Sequence, residues 1–191
     1  MIMEYCGSQT LQKLVEDKGK SEDLLRELFQ QILKGVRFLH QHGVAHRDLK
    51  PTNILINSKG VPKIIDLGLC SVSNTAETVY CGTPAYMNPQ MAERRGYLAT
   101  KHDVWCIGVM LFLLVFGKHP FGGSIVSKSE KTSPNYKIWL SQTNIQFPSK
   151  PQNISSELRS MIIQCLSKQE SDRPTIEQLL SHPWITGTSQ R

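Results

Sequence analysis

Asp48, Lys50 and Asn53 lie within one short run, His46-Arg47-Asp48-Leu49-Lys50-Pro51-Thr52-Asn53, and Asp66-Leu67-Gly68 follows it. The set holds a carboxylate that can take a proton and an ammonium that can neutralise developing negative charge. It also holds an amide and a second carboxylate that can share a hard cation. Between Asn53 and Asp66 stand two apolar runs, Ile54-Leu55-Ile56 and Val61 through Ile65, joined by Asn57-Ser58-Lys59-Gly60. That joint is turn chemistry, with Gly in reach of a positive φ, so the segment predicts a β-hairpin. Antiparallel pairing brings opposite residues to about 4.5–5.5 Å, so Asn53, entering the first strand, and Asp66, leaving the second, are expected side by side. Two such oxygens at one end of a ribbon suit Mg²⁺, which takes oxygen ligands at about 2.0–2.1 Å and borrows the rest from water and phosphate. Asp48 then stands where it could take a proton from a hydroxyl, and Lys50 where it could steady a phosphoryl group in flight. The pattern implies phosphoryl transfer.

These side chains need rigid supports. From Ser21, the residues Leu24, Leu25, Leu28, Ile32, Val36 and Leu39 recur at helical spacing, with Arg26, Glu27, Gln30, Gln31, Lys34 and Arg37 on the other side. Ser21 is expected to cap this helix and Gly43 to end it, so that it delivers its end into the Asp48 loop. An apolar helix around Val104 to Phe116 would form the core beneath. Leu158, Met161, Ile162, Cys165 and Leu166 mark another helix behind Ser155. The last expected helix starts at Thr175, which with Gln178 makes a capping box, and buries Ile176, Leu179 and Leu180. Between Phe121 and Pro134 the composition turns to Gly, Ser and Lys, which predicts a surface loop.

The chain has 191 residues, 39% of them hydrophobic, enough for one domain with a real core. Its longest apolar run, Val104 through Phe116, is broken by Gly108 and falls short of the roughly 20 residues of a bilayer span, so no membrane span is expected. Five cysteines, Cys6, Cys70, Cys81, Cys106 and Cys165, form no C-x-x-C pair, which fits free thiols better than a disulfide frame or a zinc site. No basic region followed by an apolar stretch opens the sequence, so a cytoplasmic location is expected, with the nucleus as the alternative. The sequon Asn153-Ile154-Ser155 would then be silent. A net charge of +6 comes from scattered Lys and Arg without interleaved aromatics, which argues against nucleic acid as a partner.

In chain order, the Asp48 run and Asp66-Leu67-Gly68 are followed by Cys81-Gly82-Thr83-Pro84-Ala85-Tyr86-Met87-Asn88-Pro89, by Asp103-Val104-Trp105-Cys106-Ile107-Gly108, and by Asp172-Arg173-Pro174. Together these resemble the signature set of the eukaryotic protein kinases. The resemblance implies a protein kinase-like α+β fold, specifically its mainly helical large (C-terminal) lobe with a catalytic β-hairpin. Residues 1–7 would be a hinge remnant, 8–185 the lobe and 186–191 a tail. It further implies ATP and Mg²⁺ as cofactors, protein Ser/Thr hydroxyls as acceptors and an upstream activating kinase as a possible partner. Asp48 would be the base, Lys50 the γ-phosphate contact, and Asn53 and Asp66 the metal ligands. Met3, Glu4 and Cys6 would meet the nucleotide at the hinge, with Leu55 as an apolar floor under adenine or as plain hairpin core. His46 and Leu67 resemble members of a stacked apolar spine, and Gly68, which ends the Asp66 run, would have a structural role. Asp103 would hold the loop backbone near His46 and Arg47, or simply favour its helix N-terminus. Lys50-Pro51-Thr52 with Thr83, in place of the Ala-Ala-Arg of tyrosine kinases, indicates Ser and Thr as acceptors.

Departures from the family pattern carry expectations of their own. Thr10, Thr52 and Leu113 stand where many basophilic kinases carry carboxylates, so no strong preference for arginine upstream of the acceptor is expected. Val79 occupies the place of the residue usually phosphorylated; Thr78 beside it is the candidate regulatory site, with Ser71, Ser73 and Thr75 upstream and Arg47 as the clasp. Asn88-Pro89-Gln90 replaces Ala-Pro-Glu, so the contact from Gln90 to Arg173 becomes at best a neutral-acceptor hydrogen bond. That run is similar to some protist kinases of the calmodulin-dependent and autophagy-initiating groups. No G-x-G-x-x-G occurs and no lysine precedes Lys13. The β-rich N-terminal lobe is therefore expected to be absent from these residues, through truncation of a longer parent or as a natural product. As written, the chain would be a weak enzyme or a binding or scaffold module.

Overall fold

A computed structural model of the chain describes residues 4–19, 21–72, 75–121, 145–149, 151 and 154–188. Met3, Ser73, Asn153 and nearly all of the 121–134 loop lie outside these residues. The elements are α1 (Leu11–Lys18), α2 (Glu22–Gln41), β1 (Ile54–Ile56), β2 (Pro62–Ile64), α3 (Pro89–Ala92), α4 (Ala99–Phe116), α5 (Ser156–Cys165), α6 (Ile176–Leu180) and α7 (Pro183–Thr186), with short 3₁₀ turns at Pro51–Asn53, Leu67–Leu69 and Pro84–Tyr86. Among the described residues this is a helical lobe with one two-stranded sheet.

The long helix α2 buries Leu25, Leu28, Phe29, Ile32, Leu33 and Val36, each worth about 1.5–3 kcal/mol relative to exposure. It ends at His42 and Gly43, whose φ of +71° needs no Cβ. Ser21 holds the N-cap position, but its hydroxyl makes no cap bond. Glu22 in that first turn reaches across instead. It accepts from the Ser155 backbone N–H at 3.1 Å, from the Ser155 hydroxyl and from Trp184 Nε1 at 2.9 Å, tying α2 to α5 and α7.

The central helix α4 is buried along almost its whole length and starts earlier than the apolar run, so that Asp103 lies inside it. It packs against α5 across Gly108, where a Cβ would come within 2.7 Å of Cys165 Cβ and 2.8 Å of Leu166 Cγ. Ser155 caps α5, and Thr175 and Gln178 form the reciprocal capping box of α6. Both α1 and α7 go beyond the sequence reading; α1 is capped by the Thr10 hydroxyl and buries Leu11, Leu14 and Val15.

The hairpin forms, with Gly60 at φ +78° and the Asn57 side chain accepting from Lys59 and Val61 N–H. Its register differs by one residue from the expected one. Ile54 pairs with Ile64, Leu55 with Lys63 and Ile56 with Pro62. Asn53 thus stands opposite Ile65, whose N–H it receives at 3.0 Å, and Asp66 lies one residue past the end of the ribbon. Pairing stops there because Asp66 turns to a left-handed backbone, φ +64°.

Candidate active site

The loop that carries Asp48 hangs between α2, α4 and the ribbon. Asp103 reaches up from α4, fully buried, and its carboxylate accepts the backbone N–H of His46 and of Arg47, each at 2.8 Å. His40, at the end of α2, adds its Nε2 to the same carboxylate at 2.8 Å. One acid therefore joins two helices to the loop. His46 makes the second link: its Nδ1 accepts from Asp48 N–H at 3.2 Å, so its Nε2 carries the proton and donates to the Ile65 carbonyl at 2.8 Å. That bond fixes the loop against the end of the ribbon, beside Asp66.

Asp48 is 6% exposed and is saturated with donors. Its Oδ1 accepts from Thr83 N–H at 2.9 Å and from the Thr83 hydroxyl at 2.7 Å, while its Oδ2 accepts from Lys50 Nζ at 2.7 Å and Asn53 Nδ2 at 3.0 Å. Lys50 Nζ also reaches the Thr83 hydroxyl at 2.7 Å. Burial pushes the Asp48 carboxyl up, but the bonds from Lys50 and Thr83 outweigh it and hold the group below its ordinary range. Thr83 arrives there because Gly82, at φ +95°, lets the chain pass so close that a Cβ would meet the Arg47 carbonyl oxygen at 2.6 Å.

Asn53 spends both amide hydrogens on Asp48, on its carbonyl at 2.9 Å and on its carboxylate. Its oxygen is thereby left as an uncommitted acceptor among the described residues. Asp66 is exposed, and its Oδ1 accepts from Gly68 N–H at 3.3 Å. An amide oxygen and a carboxylate at one end of the ribbon fit Mg²⁺, which needs few protein ligands. Among the described residues no cluster of three or more His, Cys, Asp and Glu offers a fuller cage.

Beyond Asp66 opens a cavity of about 680 Å³ lined by Glu4, Cys6, Lys63, Ile64, Ile65, Asp66, Leu67 and Gly68. Lys63 and Glu4 pair at 3.0 Å on its wall. Leu55, half-buried, lies opposite Lys63 in the ribbon and so shares its face, though it is not among the described lining residues. His46 is buried, whereas Leu67 is 47% exposed and borders the cavity. The candidate nucleotide contact Met3 lies outside the described residues.

Gln90 is buried, and its Oε1 accepts from Arg173 Nη2 at 2.6 Å while its Nε2 donates to the Lys168 carbonyl at 2.9 Å. Arg173 also lies over the Trp105 ring at 5.0 Å. The neutral amide thus makes the contact expected of it and adds a donation that a carboxylate could not make. Thr78 is exposed. Arg47 turns instead to Glu77, with Nη1 3.4 Å from Oε2, and donates through Nε to the Leu69 carbonyl at 2.7 Å. The sequence reading missed His40 and Glu77, since no motif spacing links residues that meet only through the fold.

A family model for the protein kinase domain matches residues 1–185. Sperm motility kinase 2B of Mus musculus is 33% identical over 189 residues, covering 97% of this chain and 37% of its own length. CBL-interacting protein kinase 5 of Oryza sativa subsp. japonica is 35% identical over 188 residues, 96% of this chain and 39% of its own. CBL-interacting serine/threonine-protein kinase 18 of Arabidopsis thaliana is 35% identical over 189 residues, with 96% and 34% covered. The chain thus spans well under half the length of the curated relatives it matches.

Proposed function

The chain belongs to the protein kinase family, and from that premise we propose that it serves transfer of the ATP γ-phosphate to Ser and Thr hydroxyls of protein substrates. The observation that carries this reading is the cage around Asp48, in which Lys50, Asn53 and Thr83 hold a buried carboxylate ionised and aimed. Asp48 takes the proton of the incoming hydroxyl as its oxygen bonds to the γ-phosphorus, while the bond from that phosphorus to the β,γ-bridging oxygen breaks and ADP leaves with the electron pair. That hydroxyl must displace one of the donors already on Asp48, and Thr83 has the hydroxyl to give way. Lys50 lies within reach of the transferred group and offsets its charge. Asn53 and Asp66 would hold Mg²⁺, which supplies charge neutralisation on the phosphates when bound. The cavity beside Asp66, with Glu4, Cys6 and Lys63 on its walls, is where the nucleotide would lie.

These residues contain no Gly-rich phosphate loop, and losing one preorganised charge-stabilising donor commonly costs about 10²–10³ in rate. The 191-residue chain alone is therefore expected to bind Mg·ATP weakly and to transfer slowly. The second reading, a kinase-like lobe that binds partners without turnover, draws support from the exposed Leu67 and the open face around it.

Incubation with γ-labelled ATP, Mg²⁺ and casein separates the two. Label on Ser and Thr that is lost in Asp48→Asn supports the enzyme; absence of label at any protein concentration, with Mg·ATP binding intact, supports the scaffold.

A further inference from the structure

Arg47, the residue before Asp48, has a left-handed backbone, φ +65°, which a non-glycine residue keeps only where its surroundings hold it. Asp103 takes its N–H and the Leu69 carbonyl takes its Nε. Tyr97 also touches the Arg47 side chain, and a countercharge comes from the segment that delivers Gly82 and Thr83 to the site: the Glu77 carboxylate, 3.4 Å from Nη1. This pair is little exposed, 11% for the Arg47 side chain and 15% for Glu77, so water and salt screen it weakly. Nη1 makes no hydrogen bond of its own, so without Glu77 a buried guanidinium edge would face no countercharge there.

Glu77 is itself anchored on three sides. Its N–H donates to the Tyr97 carbonyl at 2.8 Å, and its own carbonyl accepts from Tyr97 N–H at 3.1 Å. Its second carboxylate oxygen accepts from the Ser71 hydroxyl. Ser71 in turn pairs in both directions, at 2.9 Å, with Ala45, the neighbour of His46. The acid, the arginine, the backbone just before Asp48 and the Leu69–Ser71 stretch thus form one closed circuit. Thr78, one residue on, points to solvent and makes no described side-chain hydrogen bond.

We propose that Glu77 is a positioning residue: it supplies within the unmodified chain the negative charge that fixes Arg47, so that the segment leading to Thr83 is set without phosphorylation of Thr78. The functional half of this proposal rests on the kinase reading; the clasp itself does not. A phosphate on Thr78 would meet an Arg47 already engaged, and so has no clasp to form.

The test uses the 191-residue chain with Glu77→Gln, which keeps shape and removes charge, Glu77→Asp, which keeps charge, and Thr78→Ala. Hydrogen exchange of the amides of residues 75–83 is expected to speed about tenfold in Glu77→Gln and to stay near wild type in Glu77→Asp and Thr78→Ala. Glu77→Gln exchanging like wild type overturns the clasp. Should Glu77→Gln lower global stability, a double-mutant cycle of Arg47→Ala and Glu77→Ala decides: coupled effects support the clasp and additive ones overturn it. In transfer assays, phosphatase-treated wild type and Thr78→Ala keep the wild-type rate, while Glu77→Gln loses about tenfold in kcat with little change in KM for ATP. Activity that requires phosphorylated Thr78 overturns the proposal. A wild type that transfers no phosphate contradicts the kinase reading instead, and exchange and the cycle still judge the clasp.

Discussion

Asp48 and Asp66 flank the same short ribbon and are treated in opposite ways. Asp48 is buried, and the chain itself supplies a donor to every position its oxygens can use. Asp66 is exposed and receives Gly68 N–H alone among the described bonds. A carboxylate enclosed by donors is ionised and aimed before any ligand arrives; one left open keeps its charge for a cation that brings its own partners. On the proposed reading Asp48 serves the acceptor hydroxyl and Asp66 the cation and nucleotide, so the two acids should fail in different ways.

The sharpest way to break that contrast is to neutralise the two acids in turn. Asp48→Asn is expected to lower transfer by about 10²–10⁴ while leaving the Mg·ATP-induced thermal shift in place. Asp66→Asn is expected to abolish the shift itself. Equal effects on binding from both would erase the distinction.

Acid should undo the enclosed side first. Burial holds His102, next to Asp103 on α4, and His119 near a pKa of about 4, below the ordinary 6.5. Between those values the unfolded chain binds protons that the folded one refuses, so their contribution is intact above about 6.5 and is lost as pH falls toward 4. Melting curves should therefore show stability falling by a few kcal/mol over that window, with weakening of the lowered Asp48 carboxyl adding to the loss below about 4. A flat profile from pH 7 to about 4 would contradict this.

Gly82→Ala comes next, with about 1–3 kcal/mol lost through the left-handed φ and the approach to the Arg47 carbonyl, and with Thr83 drawn off Asp48. Chemical denaturation and transfer rate should fall together. Gln90→Ala, which strips the Arg173 and Lys168 contacts, should cost about 1–3 kcal/mol by the same denaturation measurement, with little effect on nucleotide binding. On the open side, Leu67→Ser should stay within about 0.5 kcal/mol, because its side chain gives up little burial.

Much of this was legible in the sequence where the signal is local. Apolar spacing announces α2 and the core of α4, Ser155 and Thr175 mark real caps, and Asn57 with Gly60 makes the turn. The short α1 and α7 are too brief for periodicity to reveal. The hairpin register stands one residue from the expected one because the loop from Asn57 to Val61 sets Ile56 opposite Pro62, and strand patterning does not encode loop length. What chooses the partners of Asp103 and Arg47 is the packing of elements distant in the chain. Hence His40 and Glu77 emerged only from the fold.

The claim that Asp48, Asn53 and Asp66 converge on one metal-nucleotide site is tested most directly by amide NMR spectra of the chain titrated with Mn²⁺ and ATP. The account predicts paramagnetic broadening centred on Asn53 and Asp66 and reaching Asp48, present only with both additions. Broadening centred elsewhere, or none at saturating Mn·ATP, would contradict it.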